Sequence, residues 1–222
     1  MEPIKQQLLD AILIHVAFDG WSSTAFEAAI SDSDIDPTVA RTVCPRGALD
    51  LAVAYHQQGD AAMLDALEGA DLEAMRIRDR VSFAIKARLM TADKEAVRRG
   101  AVLFALPQNA AEGSRLIWGT ADAIWTALGD TSTDGNWYSK RAILSGVYSS
   151  VVLYWLGDDS EGHRNTWDFL DRRIDNVMQI EKVKGQMRSN PLTKGFAAGV
   201  DALMGMVKAP RTRDDLPGTY SG

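Results

Sequence analysis

Apolar residues recur along this chain at intervals of three and four, the spacing that puts them on one side of an α-helix. Ile4, Leu8, Ala11, Ile12 and His15 make the first such stripe, and Gly20 stops it. Ser23 or Thr24 can cap a short second helix that runs to Ile30. Asp36-Pro37 joins an N-cap to a proline at the first helical position and opens a third short helix to Val43. A turn at Pro45-Arg46-Gly47 follows. Further helices are predicted over 48–68, with Gly59-Asp60 as a weak point, and over 72–90, 94–106 and 112–128. Ser132 to Asp134 cap a long eighth helix to Leu156, and Gly157-Asp158-Asp159 end it. A ninth covers 162–188, with Trp167, Leu170, Ile174 and Val177 on one stripe, and Pro191 opens a tenth to Lys208. Period-two alternation is sustained nowhere, so the chain reads as all-α with nine to ten helices.

Composition narrows the class. The chain has 222 residues, 46% of them hydrophobic and 24% charged, which suits a soluble globular protein with a core of its own. Cys44 is the single cysteine, so no intramolecular disulfide can form. His15, His56 and His163 are scattered without metal-ligand spacing, and no metal site is expected. The opening MEPIKQQLLD lacks the basic-then-apolar form of a signal peptide. The longest charge-free run, 142–157, has 16 residues, short of the ~20 that a membrane span needs. A cytoplasmic protein, neither secreted nor spanning a membrane, is expected.

Charge is uneven. Residues 1–60 hold nine acids and three bases, whereas residues 182–213 hold seven bases and one acid. Three short helices ahead of six or more longer ones is similar in outline to the TetR-like regulators, in which a helix-turn-helix head sits on a ligand-binding body. A DNA-reading third helix would have to enter a major groove. Here it reads DPTVARTV, with Arg41 as its base and Asp32, Asp34 and Asp36 close by. Phosphate would repel such a head, so the helix-turn-helix is expected to serve packing, with no nucleic-acid partner. The expected organisation is a head over 1–46, a helical body over 47–189 and an amphipathic, basic tail over 190–222.

No Ser-His-Asp, Cys-His, HExxH, ExxH or P-loop pattern is present, which points away from an enzyme and gives no catalytic residue. The stretch from Gly129 to Val177 carries the more specific signal: Asp130, Ser132-Thr133-Asp134, Asn136-Trp137-Tyr138, Arg141, Tyr148, and Thr166-Trp167-Phe169-Leu170-Arg173. It resembles the ubiquinone-biosynthesis protein family Coq-nine. Weaker similarity runs through Gly20-Trp21, the CPRGALDLA turn and Leu106-Pro107-Gln108-Asn109; Cys44 departs from the apolar residue expected before Pro45. The resemblance implies a TetR-like fold that binds lipid rather than DNA. It implies an accessory protein without cofactor, whose ligand is a lipid or isoprenoid quinone. That protein would present a polyprenyl quinone intermediate to the demethoxyubiquinone hydroxylase at the membrane. The alternative is a TetR-like transcription regulator with a small-molecule pocket.

Three groups of residues follow. Lipid would lie in a cavity lined from Leu89, Met90, Leu103, Leu106, Ile117, Trp118, Val147, Val151 and Tyr154. Periodicity alone fits a filled core equally well; with the resemblance, a cavity is expected. The hydroxylase would meet a patch of Ile124, Trp125, Asp134, Asn136, Trp137, Tyr138 and Arg141, rich in the residue types of interface hot spots. Trp137 and Arg141 share a helix face, and the alternative is Trp137 in the core. The membrane would meet Leu192, Phe196, Val200, Leu203, Met204 and Val207, which fall within about 120° of one another at helical spacing. A homodimer through the eighth and ninth helices is expected from the TetR-like outline.

Overall fold

The computed structural model describes residues 3–189, with side chains described as far as Val177. Within them the helices follow as α1 (Pro3–Asp19), α2 (Ser23–Asp32), α3 (Pro37–Val43), α4 (Ala48–Glu68), α5 (Ile77–Met90), α6 (Lys94–Ala105), α7 (Ala110–Ala127), α8 (Gly135–Leu156) and α9 (Arg164–Ser189). No strand occurs among the described residues. The all-α reading stands. The predicted tenth helix, with Leu192, Phe196, Val200, Leu203, Met204 and Val207, lies outside the described residues.

Most helix ends are set by local chemistry. Asp36 accepts from the backbone N–H groups of Thr38 (2.7 Å) and Val39 (3.2 Å), with Pro37 behind it, as predicted. Asp134 caps α8 by accepting from Asn136 N at 3.0 Å. The α2 cap is Ser22, whose hydroxyl accepts from Ala25 N, one residue ahead of the expected Ser23. Three other expectations are corrected. α4 runs unbroken through Gly59-Asp60. α5 begins at Ile77 rather than Leu72, because turns take the preceding donors: Leu72 N bonds Ala70 O, and Met75 N bonds Leu72 O. On α1 the buried stripe is Leu8, Leu9, Ile12 and Val16. Ile4 stays exposed, ahead of Gln7, whose amide reaches Ser33 O at the end of α2.

Two apolar clusters organise the packing. One joins α1–α3 with Ala48, Leu51, Ala52 and Ala54 of α4 and Ala96 of α6. The other joins Met63 and Leu67 of α4 with α5, α7, α8 and α9. The 21-residue α4 therefore belongs to both, its first half in the head and its second in the body. Trp21 ties the head down again, donating from Nε1 to Ala96 O on α6 at 3.0 Å.

Candidate functional site

Between head and body lies a cavity of about 370 Å³, within the size range of small-molecule sites. Its apolar lining comes from Trp21, Ala52, Leu89, Val97, Phe104, Leu116, Ile117 and Val152. Helix packing makes room for it through small residues: Ala96, Gly100, Ala101 and Gly113 all face the space.

One end is polar. His56 on α4, Arg88 on α5 and Tyr148 on α8 line the cavity. Asp60, one turn beyond His56, accepts from Arg88 Nε at 2.7 Å, and Arg88 also donates to His56 O at 2.9 Å. His56 Nε2 lies 2.9 Å from Thr120 Oγ1, which lies 2.9 Å from Asp60 Oδ1. Asp60 as a carboxylate only accepts, so an order that satisfies all three has the imidazole donating to the hydroxyl and the hydroxyl to the carboxylate. Arg88 fits because residue 59 is glycine: a Cβ there would stand 2.3 Å from Arg88 Nη1. That close approach explains a glycine inside an unbroken helix. Burial, helped by the Arg88 charge, holds His56 down to about 4 against Asp60, so the ring is neutral at pH 7. Burial pushes the Tyr148 hydroxyl up to about 12.

A pH dependence follows. His56 titrates near 6.5 when unfolded and near 4 when folded, so between those values the unfolded chain binds more protons. The stabilisation is present in full above about 6.5 and is lost as pH falls towards 4, on the order of 2 kcal/mol. Urea unfolding at pH 7 and at pH 4.5 is expected to show the loss, and His56→Gln to remove most of it.

The second site is the N-terminal part of α8 and the loop before it. Asp130 accepts from Lys140 Nζ (2.6 Å), Ser132 Oγ (2.7 Å) and Arg141 Nη1 (2.9 Å). Burial opposes its charge, yet these hydrogen bonds win and hold the carboxyl far below the ordinary carboxylate range. Arg141 also donates from Nε to Asp122, and its guanidinium lies 4.0 Å from the centre of the Trp137 ring. Trp137 packs edge-on to Tyr138 at 4.7 Å, and Trp118 of α7 completes the group at 6.0 Å from Trp137. Trp125 donates to Lys140 O at 3.1 Å. Below them a smaller space of about 190 Å³ opens between α5, α8 and α9, lined by Val81, Trp125, Val147 and Ile174.

These placements sort the sequence-predicted residues. Of the nine cavity candidates, Leu89 and Ile117 line the 370 Å³ cavity. Val147 lines the smaller space, Val151 is packed in the body core, and Leu103 packs against the head core. Trp118 belongs to the aromatic group at Trp137 and Tyr138. Met90, Leu106 and Tyr154 are exposed, which corrects their assignment to an interior. Met90 is the last residue of α5 and Leu106 the extended C-cap of α6, both past the packed turns, while the Tyr154 ring stacks at 4.5 Å on Phe169 of α9. Of the partner candidates, Ile124 is fully buried and Arg141 is 2% exposed. Asn136 and Asp134 are exposed, and Trp125, Trp137 and Tyr138 are half-buried. Sequence reasoning missed Tyr55, His56, Asp60, Arg88 and Thr120, and singled out Tyr148 only as a carrier of the resemblance. A faint signal existed in His56 and Asp60, one helical turn apart beside Gly59. Among the described residues no group of three His, Cys, Asp or Glu is placed to hold a metal, and no helix is long and apolar enough to cross a membrane.

Residues 110–181, which hold α7, α8 and the larger part of α9, match the COQ9 family. Over that segment, about a third of its length, the chain is similar to COQ9. It is 29% identical over 192 residues to the probable ubiquinone biosynthesis protein coq9, mitochondrial, of Dictyostelium discoideum, covering 83% of this chain and 62% of that protein. It is 28% identical to ubiquinone biosynthesis protein COQ9, mitochondrial, of Drosophila melanogaster, covering 84% of this chain and 59% of that one. The chain thus spans about three fifths of those two relatives. The human COQ9 protein is 24% identical over 226 residues, covering 98% of this chain and 68% of that protein. Among solved structures, the TetR transcriptional regulator from Nitrosomonas europaea ATCC 19718 superposes with a TM-score of 0.66 at 16% identity. That match covers 80% of this chain and 99% of the regulator, and establishes the TetR-like fold. The COQ9 match thus includes the Asp130 network, the aromatic group around Trp137 and the Tyr148 edge of the cavity.

Proposed function

We propose that this chain is a lipid-binding accessory protein of ubiquinone biosynthesis. It holds a polyprenyl quinone intermediate between head and body and presents it to the demethoxyubiquinone hydroxylase at a membrane surface. It performs no chemistry itself. The observation that carries this is the 370 Å³ cavity, apolar on most of its wall, in a chain similar to proteins named for ubiquinone biosynthesis. The partner surface is the half-buried group of Trp118, Trp137 and Tyr138, held in place from behind by Arg141. Membrane contact belongs to residues 192–207 by their sequence. Pairing of two copies through α8 and α9 belongs to the same proposal, α8 exposing Ala142 and Gly146 along one side.

A regulator reading has the fold likeness in its favour, but the base on α3 is already engaged. Arg41 Nη2 donates to Glu27 at 2.9 Å, and Asp36 stands at the helix start.

Native mass spectrometry of the purified protein, with extraction and identification of the ligand, tests the proposal. The expected result is one isoprenoid or other single-tailed lipid per chain. Protein that is ligand-free, and takes up none from vesicles containing polyprenyl quinone, would overturn it. In a hydroxylase capture assay Tyr138→Ala is expected to weaken association about thirtyfold, the usual effect of truncating a hot spot.

A further inference from the structure

The cavity wall is graded along α8. Tyr148 is 4% exposed at the closed end, Val152 one turn on is half-buried, and Leu153 at the mouth is 67% exposed. The polar groups gather at the closed end, where Arg88, 3% exposed, and His56 meet Tyr148. The exposed part of the wall is mostly apolar, with Ala105, Ala110 and Leu153 beside Ser114. A molecule that satisfies both must be polar at the end that enters first and hydrocarbon at the end that trails.

Tyr148 makes the demand specific. Its ring is buried, the residue lines the cavity, and its hydroxyl makes no hydrogen bond to the other described residues. It is not one of the sealed, unpartnered polar atoms of the described residues, so it is open to the cavity, where water or a ligand can accept from it. The hydroxyl keeps its proton over the whole physiological range, because burial raises its pKa. It therefore offers a hydrogen bond to an acceptor oxygen.

Charge narrows the head further. The Arg88 guanidinium is neutralised by Asp60 at 2.7 Å, and His56 is uncharged at pH 7. The closed end thus carries donors without net charge. An anionic head would meet the Asp60 carboxylate behind Arg88, whereas an uncharged ring with carbonyl or ether oxygens meets donors alone. Size agrees: about 370 Å³ holds a ring and the first part of a tail, and a long tail must continue outside.

We propose that the cavity takes its ligand head first: an uncharged ring bearing acceptor oxygens lies against Tyr148 and Arg88 at the closed end, and the tail leaves past Val152 and Leu153. This rests on the reading of the cavity as a lipid site and adds an orientation to it. In the loaded state the ring is screened from solvent and from other proteins, so a partner that acts on the ring receives it only after the ligand has slid out.

The test uses two probes on delipidated full-length protein: a dimethoxy-methyl-benzoquinone with a ten-carbon alkyl tail, and an unsubstituted alkane of similar length. Tyr148→Phe is expected to raise the quinone Kd about tenfold, the value of one hydrogen bond, and to leave the alkane Kd unchanged. Leu153→Asp at the mouth is expected to weaken both probes. The quinone bound to the wild-type chain is expected to resist reduction by borohydride. If both probes bind and Tyr148→Phe changes neither affinity, or lowers both alike, the orientation is overturned while the lipid site stands. Rapid reduction of the bound quinone overturns it in the same way. If neither probe binds the wild-type chain, the lipid reading falls with it.

Discussion

Replacing Arg88 by alanine is expected to cost about 3–5 kcal/mol, the usual effect of stripping one partner from a buried ion pair. The side chain is 4% exposed and donates to both Asp60 and His56 O. Without it the Asp60 carboxylate keeps Thr120 and loses its countercharge. The missing side chain also enlarges the cavity, which adds to the loss. With a urea m-value of about 1–3 kcal/mol per molar, the unfolding midpoint should fall by at least about 1 M. Gly59→Ala is expected to move the midpoint the same way. Its Cβ would stand 2.3 Å from Nη1 and 2.4 Å from Cζ of a guanidinium that its hydrogen bonds hold in place. The gain from replacing a mid-helix glycine, up to about 1 kcal/mol, would be overridden. A variant of Arg88 that unfolds at the wild-type midpoint would show that the network contributes nothing.

The second large effect is expected at Arg141. Its guanidinium and the Asp130 carboxylate are each 2% exposed, and it also reaches Asp122 and the Trp137 carbonyl. Arg141→Ala is expected to cost about 3 kcal/mol, at the low end for a broken buried pair because Lys140 still neutralises Asp130. Asp122 adds little to that figure, being 43% exposed. Arg141→Lys keeps the charge and loses the fork that serves two carboxylates at once, so it should recover only part of the loss. Near-ultraviolet circular dichroism gives an independent check. Removing the cation from above Trp137 should alter the tryptophan signal even where the chain stays folded.

The sequence reveals some of this site and hides the rest, for identifiable reasons. The i,i+4 relation of Trp137 and Arg141 was legible, and the two side chains do meet. Which of them faces solvent was not. Arg141 is drawn inward by Asp122 and Asp130, and the signal for that lies on α7 and in a loop rather than in the local pattern. The caps at Asp36 and Asp134 were legible because a cap needs only its neighbours. Met90 and Leu106 read as interior because they are apolar and in phase, but phase carries no information about where a helix outruns its partners. The polar end of the cavity was hidden for a third reason. His56, Arg88, Thr120 and Tyr148 come from four helices, and each taken alone is an ordinary residue. Gly59 was the useful clue and pointed elsewhere: read as a weak point in α4, it is the place where the Arg88 side chain of α5 lies against the helix.

Trp21 belongs to the helix-turn-helix-like head, yet it lines the cavity and fastens to α6. The head is therefore a piece of the container. It cannot be detached without opening the wall of the cavity and losing the Trp21 hydrogen bond to α6. A substitution in the core of the head reshapes the cavity from a distance, whereas one on the outer face of α3 leaves it untouched.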